Sequence, residues 1–346
     1  MKKSPELIQT LSDFFTIYLP VTRGLSQNTI RSYQYVFQLL FEYLYAEKGL
    51  SPEKVMFKNL ENGTIEQFLF WLETNRTCGA ATRNQRLAAI SSFAKYAMNK
   101  QFISALTFGS EVSNIPKKKT PKKIFPYFTI GEISVLLRMP DKATDIEQRD
   151  KVLLSVLYAS GARAQELCDL TVNDVRFESK TSLRLVGKGN KARIVTIPDN
   201  CACLLKNHLK RNRLDTKECR VNHVFSSQIH EHMTTSCVEC IVKKYVAKAK
   251  NERPGLYCEK NYSPHSFRHS IAVHMLEAEI PIPVIKNFLG HSSIETTLIY
   301  ATVSADLANK YLRNRCFVNE AIGYDEKIGS IAKLSLPFLE KITKGK

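Results

Sequence analysis

The sequence is short of acidic residues. Its 346 residues carry 33 Asp and Glu against 50 Lys and Arg, for a formal net charge of +17. The isoelectric point is about 9.4. A surplus of this size points to a polyanionic partner, most simply nucleic acid, although a generally basic surface gives the same balance. Long apolar runs are also absent. No stretch of 18 apolar residues occurs, so no membrane span or membrane partner is expected. Met1-Lys2-Lys3-Ser4-Pro5-Glu6 is followed by Asp13 and other polar residues, not by a continuous apolar core, so no secretory leader is expected. The nine cysteines are odd in number and form no framework. That excludes a secreted disulfide scaffold and fits reduced thiols in a cytoplasmic protein, here expected to be nucleoid-associated. No internal repeat is found.

At this length two domains are expected, and a hydrophobic content of 44% is enough for ordinary cores. Residues 1–108 read as a helical DNA-binding domain. Ser26 can cap a helix whose Ile30, Tyr33, Phe37, Leu40, Phe41 and Leu44 form one apolar stripe. Thr64 opens a second amphipathic segment and Thr82 a third. On the third, Arg83, Arg86 and Lys95 are either a solvated face or phosphate contacts. Residues 109–125 read as a basic linker. Asn114-Ile115-Pro116-Lys117-Lys118-Lys119-Thr120-Pro121-Lys122-Lys123 suits neither a helix nor a core strand. The segment is solvated, lies along a DNA backbone, or does both.

Residues 126–318 read as a mixed, mostly helical domain. Thr129-x-x-Glu132 is a capping box. Helices are expected at about 146–159, 200–212, 235–250, 264–278, 282–289, 293–301 and 304–315. Residues 182–186 and 193–197 read as strands joined through Gly187-Lys188-Gly189-Asn190-Lys191. The fold class is therefore mainly α with a small β-hairpin or sheet. Residues 319–346 form a tail whose Ile328, Ile331, Leu334, Leu336, Phe338 and Leu339 suggest a contact between protomers, or packing back on their own domain.

Three motifs carry chemistry. They are Gly161-Ala162-Arg163-Ala164-Gln165-Glu166-Leu167, His265-Ser266-Phe267-Arg268-His269, and Leu289-Gly290-His291 followed nine residues later by Tyr300. An arginine fork stays charged and donates two parallel bonds, which suits the charge that develops on a phosphodiester under attack. Arg163 and Arg268 are the candidates. Glu166, one turn after Arg163, can orient it or a neighbouring histidine. His265 and Arg268 are i, i+3 neighbours on a helix that Ser263-Pro264 can start, so they should reach one site. His269 reads as structural. Gly290 ends a helix and frees the backbone before His291.

A phenol with a pKa near 10 is a poor nucleophile, but two nearby arginines should make the phenolate of Tyr300 easier to form. Lys188, between two glycines, can protonate a departing 5′ oxygen, with Lys191 as its competitor. Gly187-x-Gly189 is not accompanied by the Gly-Lys-Ser/Thr element of a P-loop. Cys201-x-Cys203, His230-x-His232 and Cys237-x-x-Cys240 can be drawn as a zinc set. Buried thiols packing beside Val238, Ile241, Val242 and Tyr245 explain the cysteines better, so neither metal nor cofactor is expected.

Together, in this order, the motifs resemble those of the tyrosine recombinases, the phage-integrase family. Across the two domains the resemblance is specific for roughly 160–303 and rests on size and helical character in the first domain. It implies that Arg163, Lys188, His265, Arg268, His291 and Tyr300 form a metal-free catalytic set, with Glu166 supporting the first arginine. It implies cleavage of double-stranded DNA through a 3′-phosphotyrosyl link, in a Xer-like or transposon-encoded enzyme that integrates, excises, transposes or resolves DNA as a tetrameric synapse. Ala162 and Ala164 beside Arg163, and Phe267 where leucine is common, depart from the family pattern but leave every charged group in place. A type IB topoisomerase shares the chemistry, and a non-catalytic DNA-binding regulator shares the charge.

Overall fold

A computed structural model describes residues 6–100, 103–120, 125–141, 144–187, 189–216, 218–227, 229–259 and 261–301. Lys188, part of the basic linker, the helix expected at 304–315 and the tail at 319–346 lie outside the described residues. The chain divides into two compact units, Met1–Lys123 and Ile124–Lys346.

Among its described residues the first unit is helical. Helix α1, Glu6–Asp13, runs into a π-helical stretch, Phe14–Thr22, that contains Pro20. Helix α2, Gln27–Lys48, begins where Ser26 accepts a hydrogen bond from the Thr29 amide and ends at Gly49 in the left-handed region. Ile30, Phe37, Leu40 and Leu44 of the expected stripe are buried, and Tyr33 and Phe41 pack against the same core. Helices α3, Thr64–Asn75, and α4, Ala80–Met98, follow; α4 starts two residues before Thr82. Phe14 and Phe37 meet Phe93 edge-on at centroid distances of 5.3 and 5.1 Å, an arrangement the ring quadrupole favours.

Of the three α4 cations, Arg83 differs from both expectations. Arg83 is buried and donates to the Pro116 carbonyl at 2.9 Å. Asn84 brackets Lys118 through its amide and carbonyl, and Lys118 pairs with Glu73 at 2.7 Å. Helix α5, Ile103–Asn114, also runs past the boundary placed at residue 108. The chain after Asn114 is thus tied to the first unit through Lys118. A proline-rich segment cannot bond to itself, so α4 side chains satisfy its backbone.

The second unit opens with α6, Ile130–Leu136, behind the Thr129–Glu132 capping box. Glu132 also accepts from the Tyr257 amide at 2.6 Å. Helix α7, Asp145–Ser160, is buried along Leu153, Leu154, Val156 and Leu157. It stops at Gly161, which takes the left-handed conformation, and α8, Ala164–Cys168, starts after it.

A sheet follows, in the order β1-β2-β3: Val175–Arg176, Ser182–Val186 and Ala192–Thr196, all antiparallel. Leu183 faces Val195 across β2 and β3, both buried. Two-residue β1 is too short to leave a period in the sequence, so only the hairpin was expected. Helices α9, Asp199–Arg211, α10, Thr235–Glu252, α11, Pro264–Glu277, α12, Ile282–Leu289, and α13, Glu295–Ala301, complete the described chain. Helix α11 is central and packs against α7, α10, α12 and α13.

The cysteines correct one expectation. Cys201 is buried and Cys237 packs on the core, but Cys203 and Cys240 are exposed. On α10 the core face belongs to Val238, Ile241, Val242 and Tyr245, which turns Cys240 outward.

Candidate active site

The turn between α7 and α8 sets the first arginine. Gly161 has φ +57°, and its carbonyl is free to point at α11 because α7 has ended. Arg163 then stands as the N-cap of α8 in an extended conformation. Its guanidinium meets Glu166 at 2.6 Å, and its amide donates to the other carboxylate oxygen at 2.9 Å. Glu166 is buried, and it has a second arginine. Arg193 of β3 donates to both carboxylate oxygens, at 3.0 and 2.9 Å, and its Nε donates to the Phe288 carbonyl at 2.9 Å.

Burial opposes the charge of Glu166. The bonds from Arg193 and from the Arg163 amide, the charge of Arg193 and the Arg163 side-chain bond overcome it and hold the carboxyl at about 2. Arg193 was not expected at the site. The signal for it is positional: it shares the inward face of β3 with Val195, and an arginine turned inward needs a buried partner.

Two glycines make these approaches possible. A Cβ on Gly187 would lie 2.9 Å from a Glu166 carboxylate oxygen, and one on Gly290 would lie 2.8 Å from Cδ of Arg193. The hairpin therefore lays its end directly against the Arg163–Glu166 pair. The Gly187 amide donates to the Lys191 carbonyl at 2.9 Å at the end of the hairpin.

Arg268 enters from α11 and is buried. It donates to the Gly161 carbonyl at 2.7 Å and to that of Leu289. Two of its five N–H donors are thereby used to tie the ends of α7 and α12, and three remain. Burial, then the charges of Arg163 and Arg193, lower its pKa to about 10, so it stays cationic at neutral pH. His265, one turn earlier, is exposed. The protein crowding it and the charges of Arg268 and Arg163 lower its pKa. His291 follows Gly290, which caps α12 at φ +66°. Its Nδ1 is 2.8 Å from the Thr297 hydroxyl. Burial and three arginines lower its pKa to about 4, leaving a neutral imidazole.

Tyr300 on α13 is 4% exposed. Its ring stacks on His291 at a centroid distance of 6.2 Å, and its hydroxyl lies 3.0 Å from Nδ1 of His269. His269, read as structural, makes this bond to the phenol. One expectation is corrected here. The phenol is not easier to ionise: burial raises its pKa, and the charges of Arg268 and Arg163 offset only part of that. The cause lies in the packing. Placing Tyr300 under α11 removes the water that would solvate a phenolate, and only the fold decides that burial. The sequence held one hint, since His269 is four residues from His265 on the same helical face.

The structure thus brings Arg163, Glu166, Arg193, His265, Arg268, His269, His291 and Tyr300 into one electrostatic cluster. Two family models match this chain: the phage integrase family over residues 127–306 and the phage integrase N-terminal SAM-like domain over residues 13–101. A putative integrase/recombinase y4rC from Sinorhizobium fredii is 30% identical over 310 residues, covering 90% of this chain and 91% of that protein. Tyrosine recombinase XerA of Pyrococcus horikoshii is 30% identical over 316 residues, covering 90% and 95%. In fold, the chain is similar to a XerH site-specific recombinase in a post-cleavage complex with palindromic difH substrate, with a TM-score of 0.65, 21% identity and coverage of 86% and 82%. It is similar also to the Tn1549 transposon integrase in complex with circular intermediate DNA, with a TM-score of 0.64, 18% identity and coverage of 89% and 99%.

Proposed function

This chain belongs to the phage integrase family, and from that premise we propose how its residues break and rejoin DNA. It is a tyrosine site-specific recombinase; the topoisomerase and regulator readings are not favoured, because the relatives that match it over nine-tenths of its length are recombinases. Tyr300 attacks a DNA phosphodiester and takes the 3′ phosphoryl group, releasing a 5′ hydroxyl. A 5′ hydroxyl from a partner strand then attacks the phosphotyrosine, and the bond energy is carried covalently between the two steps. Arg163 and the three uncommitted donors of Arg268 receive the non-bridging oxygens, where charge builds in the transition state. His291, neutral and held by Thr297, donates from its other nitrogen. His265 lines the open side. Lys188 supplies the proton to the leaving 5′ oxygen. Glu166 keeps Arg163 in place.

The observation that carries this reading is the meeting at one site of Tyr300, two histidine rings and the charges of Arg163 and Arg268. No helix among the described residues is long and apolar enough to cross a membrane. The partner is double-stranded DNA on the nucleoid, gripped by the first unit and the second. Residues 319–346 join protomers into a tetramer on the paired sites.

Tyr300→Phe tests the assignment. On a nicked suicide substrate, wild type accumulates a covalent protein–DNA adduct, and the variant forms none while binding the same duplex with unchanged affinity in a gel shift. An adduct formed by the variant would remove Tyr300 from its role.

A further inference from the structure

We propose that His269 is the group that takes the phenolic proton of Tyr300, as a catalytic residue beside the six expected from the sequence. The inference rests on the recombinase reading. Attack by a neutral phenol leaves a proton to be removed, and at a pKa near 10 only about one phenol in a thousand is ionised at neutral pH. Burial makes that fraction smaller still. A general base must stand within hydrogen-bond reach of the proton it takes, and it must be unprotonated when it does so.

His269 meets both conditions. Its Nδ1 is 3.0 Å from the Tyr300 hydroxyl. Burial, then the neighbouring His265 and the charge of Arg268, lower its pKa to about 4, so the ring arrives neutral. With the phenol donating, the ring proton sits on Nε2 and Nδ1 holds the free lone pair. Phe125 packs on the ring at a centroid distance of 4.9 Å and fixes its orientation.

His265 is the histidine that the sequence alone favours. Its ring lies 6.3 Å from that of His269, on the exposed side, and the hydrogen bond to Tyr300 belongs to His269. The groups facing Tyr300 and His269 are His265 and Arg268 of α11, Arg163 before α8, and His291 after α12.

The step balances. The O–H bond of Tyr300 breaks and its proton moves to Nδ1, giving an imidazolium. The phenolate oxygen bonds to phosphorus, the P–O5′ bond breaks, and the leaving 5′ oxygen takes its proton from Lys188, its proposed acid. In the reverse step the attacking 5′ hydroxyl gives its proton to Lys188, and the imidazolium returns its own to Tyr300 as that residue is displaced. The positive charge appears only while the phosphate between Arg163 and Arg268 carries its extra negative charge, which stabilises the pair in the transition state.

The test is single-turnover adduct formation on a nicked suicide substrate between pH 6.5 and 9. Wild type is expected to be nearly flat over this range, because His269 is neutral throughout. His269→Ala is expected to be about 100-fold slower at pH 7, to gain about tenfold per pH unit as the phenol must ionise unaided, and to recover when imidazole is added. His269→Asn keeps a hydrogen-bonding atom beside the phenol without a usable base, and should show the same rising profile with DNA affinity unchanged in a gel shift. If either variant cleaves near the wild-type rate, or both lose the same factor at every pH with no rescue by imidazole, His269 is a packing group and the proposal falls. Failure of wild type to form any adduct would instead overturn the recombinase reading on which it rests.

Discussion

Glu166 is one buried carboxylate serving two arginines, and its protonation is a test of the site at the scale of a residue. Glu166→Gln removes the charge that holds Arg163 and Arg193 and leaves the nearly buried Arg193 without its ionic partner. Breaking a buried pair on one side typically costs about 3–5 kcal/mol, so the second unit should unfold at markedly lower urea. The sign with pH follows from the depressed pKa. A carboxyl held at about 2 when folded, against 4.5 ordinarily, contributes stability that is present above about pH 4.5 and is lost as the pH falls toward 2. The stability gap between wild type and Glu166→Gln should therefore narrow across that window. A gap that stays constant from pH 7 to 3 would mean that Glu166 is not an ionised partner.

At the scale of elements, the ends of helices do more here than their faces. The carbonyls of Gly161 and Leu289, at the ends of α7 and α12, both receive Arg268, and Gly290 then turns the chain so that His291 faces Tyr300. Gly290→Ala meets two costs. One is a left-handed backbone at φ +66°, worth about 1–2 kcal/mol for a residue with a Cβ. The other is a Cβ only 2.8 Å from Cδ of Arg193, which must move and loosen its grip on Glu166. Gly49, at φ +61° with nothing within 4 Å of its would-be Cβ, isolates the first cost. Gly49→Ala should lower thermal stability slightly and leave adduct formation intact. Gly290→Ala should lower adduct formation at least tenfold at saturating DNA, a rise of about 1.4 kcal/mol in the barrier. Equal behaviour of the two variants would show that the contact with Arg193 is unimportant.

For the whole molecule, the +17 charge sets how binding responds to salt. With about 6–10 phosphates neutralised, DNA affinity should drop on the order of a thousandfold or more between 50 and 200 mM salt. Fluorescence anisotropy on a duplex site reads the slope, and a flat dependence would contradict a basic clamp. The whole surplus is not available for this. Arg83 counts toward that surplus but is buried and turned to the Pro116 carbonyl. The slope should therefore count fewer phosphates than the net charge suggests.

Much of this protein was written locally. Ser26 and the Thr129–Glu132 box fixed where α2 and α6 begin, because a cap acts within four residues. Apolar spacing marked α7, α9, α10, α11 and α12 within a residue or two, and the strand–loop–strand pattern at 182–197 marked the hairpin. The three motifs sufficed to identify the chemistry, since arginine, histidine and tyrosine at those spacings have few other uses. What the sequence did not contain were distances between elements. Arg193 is about 27 positions from Glu166 and His269 about 31 from Tyr300, so no periodicity links them, and only packing brings each pair together. The state of Tyr300 was decided in the same way. Two arginines favour the phenolate, burial under α11 opposes it, and burial wins because removing water from a charge costs more than the partly offset attraction returns.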